Sequence, residues 1–176
     1  MGTINDFRAQ ISNMAAPNRF EVEMNFPAAV SAGNLPEICK FMCKATSIPA
    51  ERVGQIEVPY QGMTLKFAGD REYDDWRVTI YNTEAWNIRA AMENWLRFIH
   101  DPVTSLKLSH TAYQVNLKVR QLGINTLDPG SPIAVYEFNN AWLKDLGEIA
   151  LDFESSNQVE TFDATFSYLY VTRVNN

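Results

Sequence analysis

Alternating polarity, turn chemistry and a lone stretch of helical period predict a mainly β protein. The expected architecture is an antiparallel sandwich or barrel of about seven to nine strands with one flanking α-helix at about 84–99. The strand-like runs are separated by Pro, Gly, Asn and Asp clusters instead of further helices, which does not suit a parallel α/β sheet. The chain has 176 residues, 46% hydrophobic and 12% aromatic, enough for one domain with its own core. No repeat of roughly 20–50 residues and no shift of composition divides it. The expected organisation is therefore an arm over 1–18, then a single β-domain over 19–176 that carries a projecting loop at 45–62.

Residues 1–18 are polar and end in Ala15-Ala16-Pro17-Asn18, while Phe7 and Ile11, four apart, suit a short amphipathic turn. Phe20, Val22 and Met24 then alternate with Arg19, Glu21 and Glu23. The stretch FPAAVSAGNLPE, with its prolines and glycine, reads as a loop. Cys39, Phe41, Cys43 and Ala45 alternate with Ile38, Lys40, Met42 and Lys44 and read as a strand. Met63, Leu65, Phe67 and Trp76, Val78, Ile80 repeat the pattern. In EAWNIRAAMENWLRFI, Ala85, Ile88, Met92, Trp95 or Leu96, and Ile99 follow helical spacing. Thr83 is the expected N-cap, Asp101-Pro102 the stop, and Glu93 with Arg97 an ion pair along the outer face. Tyr113, Val115, Leu117 and Val119 form the next alternating run, followed by a loop over Asp128-Pro129-Gly130-Ser131-Pro132. Val135 to Phe138, then Ile149, Leu151 and Phe153, read as strands. A long last strand runs through Phe162, Ala164, Phe166, Tyr168 and Tyr170.

The net charge of −6 argues against an ordinary nucleic-acid binder, which neutralises phosphates with Lys and Arg. Lys118 and Arg120, the nearest thing to a basic run, alternate with apolar residues. In a strand, the two cysteines Cys39 and Cys43 lie about 13 Å apart. That is beyond the ~7 Å that a disulfide spans, so free thiols in a reducing compartment are expected. The N-terminal MGTINDFRAQ contains no apolar run, so neither a signal peptide nor a membrane anchor is expected. Asp6 stands where a myristoylation signal needs Ser or Thr.

Clustered carboxylates in AGDREYDDW (Asp70, Glu72, Asp74 and Asp75) are raw material for acid/base catalysis or a hard-metal site. In an extended segment, however, Asp70, Glu72 and Asp74 share a face at ~7 Å steps, and like charges so placed favour a wet surface. The surface reading is preferred, with Trp76 entering the core as its anchor. Cys39, Cys43, His100 and His110 lack zinc-site spacing, so no metal or cofactor is expected. Ser109 and His110, adjacent in sequence, would point to opposite faces of a strand, and no nucleophile motif is present. No enzyme is expected. Trp76, Trp86, Trp95 and Trp142 suit core packing, and a carbohydrate-stacking face on an unrelated β-sandwich is the alternative. One segment resists a core reading. Pro49 and Pro59 bracket Val53, Ile56 and Val58, with Ile48 just before, as in a projecting loop whose exposed apolar surface meets a partner.

These residues bring a resemblance into view. FEVEM at 20–24, CKATSIPA at 43–50, AGDREYDDWRVTIYN at 68–82, LGEIALDF at 146–153 and QVETFDATF at 158–166 together resemble the tail tube proteins of contractile-tailed, T-even-like phages. The resemblance runs from about residue 17 to 171, and the spacing of CKATSIPA from AGDREYDDW is its most specific part. It implies a β-sandwich or barrel with a flanking helix, assembled as stacked hexameric rings that form the inner tube of a virion tail. It implies no catalysis. The partners implied are other copies, the tail sheath protein, a tape-measure protein in the lumen, and baseplate and tail terminator proteins. DNA is implied only in transit, without sequence preference, and assembly in the host cytoplasm. The loop with Ile48, Pro49, Val53, Ile56, Val58 and Pro59 resembles the segment that reaches the next ring, and the arm with Phe7 and Ile11 a second contact. Tubes of type VI secretion and extracellular contractile injection systems share the build and are the alternative. FPAAVSAGNLPE and the loops at 103–112 and 123–133 depart from the T-even pattern.

Overall fold

Most strands of the body bury one face and wet the other, so the alternation above converts directly into a core. A computed structural model describes residues 3–11, 15–30, 33–123, 132–156 and 158–174. In chain order the elements are α1 (Ile4–Ile11), β1 (Phe20–Glu23), α2 (Leu35–Met42), β2 (Cys43–Thr46), β3 (Glu51–Tyr60), β4 (Met63–Tyr73) and β5 (Trp76–Tyr81). Then come α3 (Asn87–Ile99), α4 (His110–Tyr113), β6 (Val115–Leu122), β7 (Pro132–Leu146), β8 (Thr161–Ser167) and β9 (Tyr170–Val174). Seven strands form one antiparallel path, β1-β6-β7-β8-β5-β2 with β9 also on β7, and β3 and β4 form a separate two-stranded ribbon. The antiparallel β fold with a flanking helix is as expected.

β7 holds the body together. Its first part pairs with β6 and β9, and its last part with β8. The switch falls at Asn139-Asn140: Phe138 faces Leu117 and Ala141 faces Val115, so two β7 residues oppose Asn116 alone. This is a β-bulge, the usual device for turning a strand from one sheet into another. Asn140 takes φ 55°, which asparagine tolerates better than most residues. Its N–H donates to Asn116 Oδ1 at 3.2 Å and its side-chain amide to Gln114 Oε1 at 3.2 Å. The expected long last strand breaks beside this bulge into β8 and β9, where the Leu169 N–H donates to the Asn139 carbonyl at 3.0 Å.

Four aromatics centre the core. Trp76 stacks on Phe138 at 4.3 Å and lies 5.5 Å from Phe166, which in turn lies 5.9 Å from Trp95. Both buried indoles satisfy their N–H, Trp76 on the Ser47 carbonyl at 3.0 Å and Trp95 on the Tyr113 carbonyl at 3.1 Å. α3 covers this core with Ile88, Ala91, Met92 and Trp95.

Several local expectations change. Thr83 does not cap α3: the Trp86 N–H bonds its carbonyl at 2.9 Å in a turn, Trp86 itself takes φ 56°, and the helix starts at Asn87. Glu93 pairs with Arg89 at 2.9 Å instead of Arg97. Arg89 also donates to the Gly147 carbonyl at 2.7 Å and lies 5.2 Å over the Phe162 ring, tying α3 to the sheet. Of the strand expected through Cys39, Phe41, Cys43 and Ala45, the second half is β2, but Cys39 and Phe41 lie in a helix, because Leu35 and Cys39 are buried at i, i+4 spacing and Pro36 sits in its first turn, where a missing N–H costs nothing. The expected FPAAVSAGNLPE loop therefore ends inside α2. Ile149, Leu151 and Phe153 lie in no strand, and Leu151 and Phe153 face solvent. Asp128 to Ser131 lie outside the described residues.

Trp76→Ala removes the stack, the tilted contact and the indole hydrogen bond together. The expected loss is about 3–5 kcal/mol of unfolding free energy, read by chemical denaturation.

Candidate assembly surface

The predicted projecting loop at 45–62 is mostly strand. β2 pairs with β5 up to Thr46 and Val78, and the same two chain segments then re-pair as β3 and β4 from Glu51 and Tyr73 outward. The ribbon is thus an outward continuation of a body ladder. Gln61 at φ 44° and Gly62 at φ 82° close it with a two-residue turn of the type whose twist suits a hairpin. Near its root, Gly54 stands opposite Gly69 and Asp70, and a Cβ on Gly69 would come within 3.1 Å of the Gly54 backbone.

Register sorts the ribbon's side chains. Ile56 faces Phe67, Val58 faces Leu65 and Tyr60 faces Met63, so six apolar residues share one side. The other side carries Gln55, Glu57, Pro59, Thr64 and Lys66. The apolar side is open: its residues range from Val58 at 43% to Met63 at 72% exposure. Of the sequence-predicted contact residues, only Ile56 and Val58 lie on it. Ile48 and Pro49 lie in the connector before the ribbon, Val53 near its root opposite Arg71, and Pro59 on the polar side opposite Thr64. Tyr60, Met63, Leu65 and Phe67 complete the face and were not among those predicted. The Gln61-Gly62 turn flanked by alternating hydrophobics is the signal that finds them.

The acids do not converge. Asp70 and Glu72 lie on β4, and Asp74 and Asp75 fill the break between β4 and β5. Asp74 pairs with Arg52 at 3.0 Å and Asp75 with Lys144 at 2.5 Å, one on the ribbon and one on the body. Arg71 with Glu51 at 3.1 Å and Lys66 with Glu57 at 3.7 Å cross the ribbon itself. These exposed pairs each contribute about 0–1 kcal/mol, so they orient the ribbon more than they stabilise it. Among the described residues no group of His, Cys, Asp and Glu could hold a metal ion. Burial pushes both thiols, Cys39 and Cys43, up to about 12, far from thiolate chemistry. His100 ends α3 and His110 begins α4, on separate turns of chain.

Two further surfaces matter. α1 is closed at its start by Thr3, whose N–H and hydroxyl both donate to Asp6 Oδ2 at 2.8 Å and hold that carboxyl below its usual range. It presents Ile4 and Phe7 to solvent at 76% and 63% exposure, with Ile11 half-buried on the same stripe. On the sheet, Lys118 meets Glu137 at 3.7 Å and Arg120 meets Glu23 at 2.7 Å, so the cations noted in the sequence are both neutralised.

A closed aromatic core bearing an amphipathic ribbon with its apolar side uncovered defines a subunit made for assembly with other chains. Its relatives say which assembly. The chain belongs to the phage tail tube protein family, whose model matches residues 15–173. It is 31% identical over 159 residues to tail tube protein gp19 of Enterobacteria phage T4, covering 90% of this chain and 91% of that one. It is 25% identical over 173 residues to the tail tube protein of Serratia phage KSP90, covering 96% and 95%. Among solved structures, a chain of the anti-feeding prophage baseplate matches the fold with TM-score 0.68 at 14% identity, over 93% of this chain and 97% of that one. A chain of the sheath–tube complex of an extracellular contractile injection system matches with TM-score 0.58 at 13% identity, over 99% of each. The protein is a tail tube subunit.

Where the ribbon meets the body, the Tyr168 hydroxyl is buried without a hydrogen-bond partner among the described residues. Burial first, and then the Asp74 carboxylate, push its pKa up to about 12. The folded pKa lies above the unfolded value near 10. The tyrosine's contribution to stability is therefore complete below pH ~10 and is lost as pH rises toward about 12. Tyr168→Phe removes the orphan oxygen, and its melting temperature at neutral pH is expected to equal or exceed wild type by thermal denaturation.

Proposed function

We propose that six copies join into a ring and that rings stack into the inner tube of a contractile phage tail. The tube holds a tape-measure protein during assembly, in the host cytoplasm, and conducts DNA when the sheath contracts. The ribbon reaches a neighbouring copy and covers its apolar side there, with α1 as the second contact. The single observation that carries this reading is the open row Ile56, Val58, Tyr60, Met63, Leu65 and Phe67 on a chain of the tail tube family. A two-stranded hairpin is marginal by itself in water, and a second surface both stabilises it and removes the apolar patch from solvent.

The subunit works by shape and surface and performs no catalysis. Its net charge of −6 suits a conduit, since a wall rich in free cations would bind phosphates and slow passage. The sheath and baseplate are its outer and end partners, in keeping with the assemblies that contain chains of this fold. The phage tail is preferred over a secretion tube because the sequence identity of 31% lies with phage relatives.

Val58 and Leu65 face each other across the ribbon, away from the core. Val58→Asp with Leu65→Asp is expected to leave the melting temperature of the body nearly unchanged and to abolish tubes in electron micrographs, because unpaired charge would be buried at the contact. Tubes of normal length from this variant would remove the ribbon from the assembly.

A further inference from the structure

The strand path ends at β1 and β2, and both ends line the same groove of about 890 Å3. Its floor is apolar, from Phe20 on β1, Ala45 on β2, Tyr81 on β5 and Leu122 on β6, and Phe41 stands beside it at 78% exposure. Lys40 and Lys44 stand at its rim. Lys40 is held by Glu37, while Lys44 lies 5.7 Å over the Tyr81 ring and meets no carboxylate among the described residues. Among the described residues each bordering strand has a partner on one side only, β1 on β6 and β2 on β5, which leaves each with a free edge.

Elsewhere on the subunit lies a segment of complementary character. Glu148-Ile149-Ala150-Leu151-Asp152-Phe153-Glu154 alternates like a strand yet joins no sheet. Leu151 and Phe153 are 83% and 111% exposed, and none of Glu148, Asp152 and Glu154 forms an ion pair among the described residues. Ile149 rests half-buried against the core, and beyond it short local bonds shape the chain, such as the Glu154 N–H to Asp152 Oδ1 at 3.0 Å, which are easily remade. The segment is acidic and apolar. Among the described residues the groove is lined by apolar side chains, three cations (Arg19, Lys40 and Lys44) and one acid (Glu21), so its lining is net basic, and β1 and β2 border it.

Resting on the tube reading, we propose that residues 148–154 of one copy lie in the β1–β2 groove of its neighbour, with Leu151 and Phe153 on the apolar floor and Asp152 and Glu154 toward Lys44. The contact joins unlike surfaces, so it propagates from copy to copy and closes when the ring closes. It adds main-chain pairing at an exposed edge, with side-chain pockets that set register.

Two preparations of distinguishable mass test it, one with Ala45→Cys and one with Leu151→Cys, both also with Cys43→Ala. Co-assembled and oxidised, they are expected to yield the mixed disulfide as the main cross-linked species. A second measurement uses charge. Lys44→Glu is expected to lower the yield of sedimenting tubes about tenfold, and adding Asp152→Lys with Glu154→Lys in the same chain to restore most of it. Assembled tubes without the mixed disulfide, or a charge swap without rescue, overturn this contact and leave the tube reading standing. A wild-type chain that stays monomeric at high concentration overturns both.

Discussion

Trp76 anchors two structures at once. Its ring stacks on Phe138 at the centre of the core, and its indole N–H holds the Ser47 carbonyl at 3.0 Å. Ser47 is where the chain leaves for the ribbon and Trp76 is where it returns, so a single hydrogen bond from a buried ring clamps both roots. The ribbon's apolar row lies beyond the clamp and is exposed, while the aromatic core lies behind it and is packed. The ribbon inherits its direction from the β2–β5 ladder, and that ladder is fixed by the same stack. A subunit that must present an apolar strip at a defined place needs such a rigid origin, because surface ion pairs like Arg52–Asp74 hold orientation only weakly.

The parts of the fold legible in the sequence are those where one face meets the core and the other meets water. Val78 and Ile80, Leu117 and Val119, and Phe162, Ala164 and Phe166 are such runs, and each is a strand with those residues buried. The elements misread share a different cause. α2 is only eight residues long, too short for a period near 3.6 to separate from a period of 2, so Cys39 and Phe41 mimic a continuation of the true strand at Cys43 and Ala45. In β7, the expected strand over Val135 to Phe138 continues through a bulge at Asn139-Asn140, fifteen residues in all, from its β6 and β9 partners to β8. That decision belongs to the packing of two sheets, which no local pattern encodes.

The ribbon escaped for a reason tied to its role. Pro49 and Pro59 argue for a loop under rules written for sheets paired on both sides. A two-stranded ribbon has only edges, and Pro59 next to the turn tolerates its missing N–H. Alternation was present in Ile56, Val58 and Tyr60 but had no core to explain it. The segment 148–154 is the mirror case, with alternation in the sequence and no sheet in the subunit. Both mismatches fall where apolar side chains are exposed. Patterning in an assembling protein is written for the assembly, so a subunit alone satisfies only part of it.

The four acids that first suggest chemistry gain a different meaning from their positions. Asp74 and Asp75 occupy the break between β4 and β5, and their cations come from opposite sides of it, Arg52 on the ribbon and Lys144 on the body. Asp74 also helps to keep the buried Tyr168 hydroxyl protonated, since a neighbouring negative charge disfavours phenolate. Charge at this break therefore acts across the joint between the packed and the projecting halves of the molecule. Weak pairs suit that position. A strong buried pair would fix one angle at a large desolvation cost. Exposed pairs of about 0–1 kcal/mol bias the ribbon's direction without fixing it.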